Sequence, residues 1–283
     1  MNESPQQHKK KRHFIKIFFD FYIFSNIHVA LATAALTKIT LLNIGISENK
    51  TALFVFFATL LSYNVIRFLR LNDIKNWYND WIKINLNTLY FISILSLLFL
   101  LYFAFQLRFK AILYLIPFAI TTFFYTFPIK KMSLRNIAGL KLFLIAISWA
   151  GITVLFPLIQ NYMSIQTNQW ITFIQRFLLV IVITLPFDIR DLDYDNHQLK
   201  TIPQQIGIQK TKVIGILLLV LFFFIEFFKM NIEAKSVLIT LSIATLSAIL
   251  LVKSDTKQHK YFSAFYVESI PIVWLLFIVL WSM

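Results

Sequence analysis

"FDIRDLDYDNHQLKTIP", Phe187 to Pro203, places four aspartates, Asp188, Asp191, Asp193 and Asp195, within eight positions of a chain that has only 13 Asp and Glu against 27 Lys and Arg. The stretch follows directly on an apolar run that extends from about 169 to 187. Acid at the end of such a run is costly to keep beside a bilayer unless it has partners or a function. What surrounds it decides the fold.

The 283 residues are 58% hydrophobic and only 14% charged, with a mean hydropathy of +0.71. That is far from a soluble globular composition and marks an integral membrane protein. Crossing the hydrocarbon core takes roughly 20 helical residues. Runs that meet this stand at about 18 to 43, 51 to 71, 86 to 106, 110 to 127, 137 to 159, 169 to 187, 211 to 229, 234 to 252 and 261 to 282. The expected fold is all-α and polytopic, with about nine transmembrane helices. Residues 1–17 read as a basic cytoplasmic tail and 18–283 as a single transmembrane domain, with no internal repeat.

Basic residues give the orientation, because cytoplasmic loops collect Lys and Arg. The tail "KKKRH", the segment Arg67 to Lys83, "KKMSLR", the stretch Arg190 to Lys212 and "KSDTKQHK" hold 18 of the 27. All five fall on one side of a nine-helix topology, which predicts a cytoplasmic N-terminus in the cell membrane. Lys16, Lys38, Lys141 and Arg176 sit in or beside apolar spans. The formal net charge of +14 is explained by loops that fix topology and meet anionic headgroups. The basic residues form no nucleic-acid-binding module. The absence of cysteine excludes disulfides, thiolate nucleophiles and Cys metal sites, and five scattered glycines make no phosphate loop.

Continued as a helix at about 100° per residue, the sixth span brings Asp188, Asp191 and Asp195 within about a 60° arc. Asp193 points about 140° away on the same count, and Arg190 also lies on the far side. Three carboxylates on one stripe repel one another unless a cation sits between them. Mg²⁺ is the natural candidate, since it takes oxygen ligands and is usually held by one or two carboxylates together with substrate phosphates. A solvated acidic loop is the plainer alternative.

"DIRDLDYDNHQLKTIPQQIG" resembles the second aspartate-rich motif of the UbiA superfamily of intramembrane prenyltransferases. The pattern, D-x-x-D-x-x-x-D and then a basic residue, Thr and Pro, falls on Asp188, Asp191, Asp195, Lys200, Thr201 and Pro203. "YTFPIKKMSLRNIAGLKL" resembles the family's loop between the fourth and fifth helices, with Tyr125, Lys130, Lys131, Asn136, Gly139 and Lys141. The resemblance implies helices ringed around a central chamber and Mg²⁺ bridging two aspartate motifs to a polyprenyl diphosphate. It implies transfer of the prenyl group to a hydrophobic acceptor, often aromatic. Asp188, Asp191 and Asp195 would be catalytic metal ligands, with Tyr125, Lys130, Lys131, Lys141 and Lys200 on the substrate. A leaving diphosphate needs its charge neutralised, and an allylic cation needs aromatic faces and exclusion of water.

The family's first motif, N-D-x-x-D-x-x-x-D, fits in two registers. By position in the second span, "SYNVIRFLR" aligns Asn64 with the motif's Asn, puts Val65, Phe68 and Asn72 where the carboxylates stand, and offers Arg67 and Arg70 to the diphosphate as fixed charges. By letters, "NDIKNWYND" supplies Asp73 and Asp80 to Mg²⁺, with Asn76 between them. A cytoplasmic loop without a ligand role is the third reading. Among other polar residues of the spans, Asp20, Asn26, His28 and Glu268 are expected to turn inward. A lone intramembrane His is more often a hydrogen-bonded packing residue than a base. The leading function is a prenyltransferase. The alternatives are a non-catalytic isoprenoid- or lipid-binding descendant and, on weaker grounds, a carrier.

Overall fold

The computed structural model describes residues 5–69, 71, 77–126, 139–192 and 200–282. The described residues are helical, with no strand among them. The first four helices are α1 (Pro5–Phe24), α2 (Ile27–Asn43), α3 (Lys50–Leu69) and the short α4 (Trp77–Ile84). They are followed by α5 (Leu86–Ala104), α6 (Phe109–Thr126), α7 (Leu140–Ala150) and α8 (Phe156–Gln160). The last five are α9 (Thr167–Arg190), α10 (Ile202–Ile206), α11 (Ile208–Phe224), α12 (Ala234–Lys253) and α13 (Ile270–Ser282).

Seven helical stretches are long and apolar enough to cross a bilayer, and an eighth exists if the bent pair α1 and α2 is one span. The expected first span from 18 to 43 is therefore not straight. It breaks by 58°, at Asn26, whose left-handed φ of 68° is one that Asn tolerates better than most residues. The bend is fixed from outside, because the Asn26 amide donates to Asn64 Oδ1 at 2.7 Å. The expected span from 110 to 127 corresponds to α6, whose apolar stretch, Phe109–Tyr125, is shorter than a full span. Among the described residues seven or eight helices thus qualify by length and apolarity, against the expected count of about nine.

Neighbouring helices pack in a sequence that closes on itself: α2 on α3, α3 on α6, α6 on α8, α7 on α9, α9 on α11, α11 on α12, α12 on α13, and α13 back on α2. Helix α9 is the hub. Its residues Leu178 to Ile183, Leu185 and Ile189 are buried in the largest apolar cluster, with Leu219, Phe222, Ile243 and Trp274. The outward faces of α5, α6 and α11 carry exposed Phe, Leu and Ile, as expected where lipid is the solvent.

Two spans are interrupted by π-turns, at Gly151–Leu155 between α7 and α8 and at Phe262–Val267 before α13. The extra residue in a π-turn loosens the backbone ladder, and the first is tied down by Thr40 Oγ1, which donates to the Thr153 carbonyl at 2.7 Å. Gly151 is required there because a Cβ would come within 2.4 Å of the Phe118 ring of α6. Gly151→Ala is expected to cost about 1–3 kcal/mol through overpacking. Phe118→Leu in the same chain should recover part of it, as measured by denaturant unfolding in detergent.

Candidate functional site

Inside the ring is a cavity of about 600 Å³. Its apolar wall comes from the middles of the spans, among them Val55, Ala58, Leu144, Ile152, Val180 and Ile183. Its charged lining comes from span ends: Arg67 in the last turn of α3, Lys141 in the first turn of α7, Arg190 and Asp191 at the end of α9, and Lys260 with Glu268 around the second π-turn. Helix C-termini favour cations, so the ends of α3 and α9 suit Arg67 and Arg190. The chamber is greasy along its walls and cationic at one set of helix ends, with four basic side chains against two acidic ones.

The cations are placed against rings as well as carboxylates. The Arg67 guanidinium lies over the Tyr78 ring at 4.2 Å, Arg190 over Phe187 at 5.2 Å, and the Lys260 ammonium over Phe24 at 5.1 Å and Tyr261 at 4.7 Å. Lys260 also pairs with Asp20 at 2.8 Å. Asp20 receives the Tyr261 hydroxyl too, and burial together with this carboxylate raises the Tyr261 phenol above its ordinary value. Next to the cavity in the loop after α12, Asp255 accepts the Thr256 backbone N–H at 2.6 Å, which holds its carboxyl below the usual range.

Of the expected site residues, Arg67, Tyr125, Lys141 and Asp191 line the cavity. Asp188 lies behind the wall, 2% exposed, with its carboxylate on Lys141 Nζ at 2.8 Å. Asp191 is taken up by a fork from Arg190, Nε to Oδ1 at 2.7 Å and Nη2 to Oδ2 at 2.9 Å. The expectation that one helical face carries Asp188, Asp191 and Asp195 supposes that the helix continues, and Asp195 lies outside the described residues. Helix α9 stops at Arg190, and Asp191 caps it with φ −86° and ψ 3° while its N–H closes the last turn on the Phe187 carbonyl at 2.9 Å. Arg190 is not turned away either, because its long side chain folds back along its neighbour into the cavity.

Asn64 is buried and occupied by structure: it accepts from Asn26 and donates to Ser93 Oγ at 3.1 Å. Asp80 is exposed on α4, and Lys200 is exposed with a left-handed φ of 43°. Asp73, Lys130, Lys131 and Asp195 lie outside the described residues. His28 is a packing residue, held by the Tyr22 hydroxyl at 2.7 Å, Ser269 Oγ at 3.1 Å and the Phe265 carbonyl at 3.2 Å. Glu226 is buried between Gln175 and Lys229, at 2.8 and 2.7 Å. Sequence reasoning named Glu268 only as inward-facing. Its convergence with Arg67 and Arg190 is a tertiary fact, and the aromatic, β-branched stretch before it gives no sign of a π-turn.

Among the described residues no three Asp, Glu or His side chains come together to hold a metal. The described aspartates of the second motif, Asp188 and Asp191, are already paired with cations, and Asp80 stands apart from them, exposed on α4. This donor set does not fit Mg²⁺, which takes oxygens free to coordinate it. The expectation of Mg²⁺ then rests on the exposed Asp80 and on Asp73 and Asp195, which lie outside the described residues.

No protein family and no curated protein matches this sequence. Solved structures do. A UbiA homolog from Archaeoglobus fulgidus bound to DMAPP and Mg²⁺ superposes with a TM-score of 0.64 at 12% identity, over 91% of this chain and 97% of that one. The same homolog bound to GPP and Mg²⁺ gives a TM-score of 0.64 and 12% identity over 93% and 100%. The fold of this chain is that of the UbiA homologs.

Proposed function

We propose that this protein, built on the UbiA fold, is an integral-membrane prenyltransferase that moves a prenyl group from a polyprenyl diphosphate to a hydrophobic acceptor. The observation that carries it is the amphipathic chamber, in which cations at the ends of α3, α7 and α9 open onto an apolar interior. A prenyl diphosphate has the same division. The diphosphate lies against the cationic end and the chain against the apolar wall. The C1–O bond breaks with its electron pair leaving on the diphosphate. Arg67, Arg190 and Lys141 are placed to stabilise that charge where water is scarce. The acceptor's nucleophilic atom then bonds to C1 and gives up its proton to the released diphosphate. The protein is expected in the cell membrane with a cytoplasmic N-terminus, which puts the charged end of the chamber on the cytoplasmic side.

The test is purified protein in nanodiscs with labelled prenyl diphosphates of short, medium and long chain and a membrane lipid extract. A new hydrophobic product with release of inorganic diphosphate is expected. Asp191→Ala, which dissolves the Arg190 fork, should lower turnover about 100-fold or more while thermal unfolding is unchanged. The engagement of Asp188 and Asp191 in ion pairs favours a second reading, a non-catalytic isoprenoid-binding protein. Binding of donor without release of diphosphate in any mixture would replace the first reading by the second.

A further inference from the structure

We propose that Arg67, Arg190 and Glu268 form a diphosphate clamp that holds its ligand without a divalent cation. The inference rests on the prenyl diphosphate reading and deepens it. The three side chains come from three spans and line one cavity.

Each arginine is held by one part of its guanidinium and leaves another for a ligand. Arg67 is stacked on Tyr78, which uses its face, and has no carboxylate at salt-bridge distance among the described residues. Its N–H donors lie in the plane, at the edge, in a fork that matches phosphate oxygens. Arg190 spends Nε and Nη2 on Asp191, and its Nη1 makes no hydrogen bond among the described residues. Both planes are fixed before a ligand arrives, which lowers the ordering cost of binding.

Glu268 explains how two guanidiniums share one site. It caps the π-turn Phe262–Val267, and its backbone N–H reaches five residues back to Ser263 at 3.2 Å. That wider turn places the Glu268 carboxyl on the same cavity as the two guanidiniums, which would otherwise repel each other. Glu268 is a positioning residue and the ligand's electrostatic rival: an entering diphosphate takes over the two guanidiniums. Phosphate oxygens also occur on lipid headgroups, and the site is assigned to the diphosphate because it opens onto an apolar chamber sized for a chain.

The experiment is equilibrium binding of labelled GPP to the full chain in phosphatidylcholine nanodiscs, in EDTA and in Mg²⁺. Affinity is expected to change by less than about 3-fold between them. In EDTA, Arg67→Gln and Arg190→Gln should each weaken binding about 10-fold or more. Arg67→Lys, which keeps the charge over Tyr78 but loses the fork, should also weaken it, so the test stands if the glutamine variant fails to fold. Glu268→Gln should tighten binding several-fold by removing the rival charge, whereas a metal-ligand Glu268 would weaken Mg²⁺-dependent binding when replaced. Inorganic diphosphate should compete, and adding phosphatidylglycerol to the disc should not. Competition by phosphatidylglycerol equal to that by diphosphate overturns the assignment in favour of a headgroup site. Binding lost in EDTA and restored by Mg²⁺ overturns the clamp and leaves prenyl transfer standing. No binding in either overturns both.

Discussion

Lys141→Met is expected to destabilise the protein by about 3–5 kcal/mol, because it strands a carboxylate that is almost wholly buried. Asp188 is 2% exposed, and its described partner is Lys141 Nζ at 2.8 Å. The pair ties the first turn of α7 to the last turn of α9, and these two helices are packed along their length. A double variant, Lys141→Met with Asp188→Leu, should regain most of the loss, since replacing both members of a buried pair by apolar groups is often neutral or better. Denaturant titration of all three chains in detergent micelles measures the cycle. A single variant that loses less than about 1 kcal/mol, or a double variant no better than the single, would show that Asp188 is not sustained by Lys141. The result bears on function, because a carboxylate that exists to balance Lys141 is a wall-building residue. If Asp188 were held for a cation instead, added Mg²⁺ would rescue Lys141→Met, and on the present geometry it should not.

Asp188 also shows where sequence reasoning reached and where it ended. The spans were legible, because length and apolarity are local properties that the bilayer reads residue by residue. The second aspartate motif was legible as a pattern, and it lies at the end of α9, beside the cavity. The partners were not. Periodicity assigns Asp188 and Asp191 to one face only if the helix continues, and nothing in "DIRDLD" marks Arg190 as its last residue. Lys141 stands 47 positions from Asp188, and a separation of that kind is fixed by packing of α7 on α9. The break at Asn26 was hidden for a similar reason. An Asn in an apolar run reads as one polar residue, and its left-handed backbone is held by Asn64, 38 positions away. Glu268 was visible as an acid in a span, but the two arginines facing it come from other helices.

Arg176 is the fourth of the basic residues that the sequence leaves within the spans, and replacing it is expected to stabilise the fold. Lys141 has Asp188, and Lys38 donates to the Ser47 and Glu48 carbonyls at 2.6 and 2.9 Å. Arg176 sits roughly 14 Å along α9 from its start, 0% exposed, with Nε, Nη1 and Nη2 making no hydrogen bond among the described residues. Its one described compensation is the Trp274 ring, 4.8 Å from the guanidinium carbon. The magnitudes decide the sign. A desolvated cation over Trp gains about 2 kcal/mol, whereas withdrawing an ion from water costs several. Arg176→Met keeps an unbranched, adaptable side chain in the same space and should raise stability by about 1–3 kcal/mol, seen as a higher midpoint in the same titration. Arg176→Lys should not, because it keeps the charge and loses the flat contact with Trp274. A fall in stability for Arg176→Met would mean that the guanidinium has a partner in the membrane. Since Arg176 stands four residues before the cavity-lining Val180 on α9, the deep end of the chamber is where that partner would be sought.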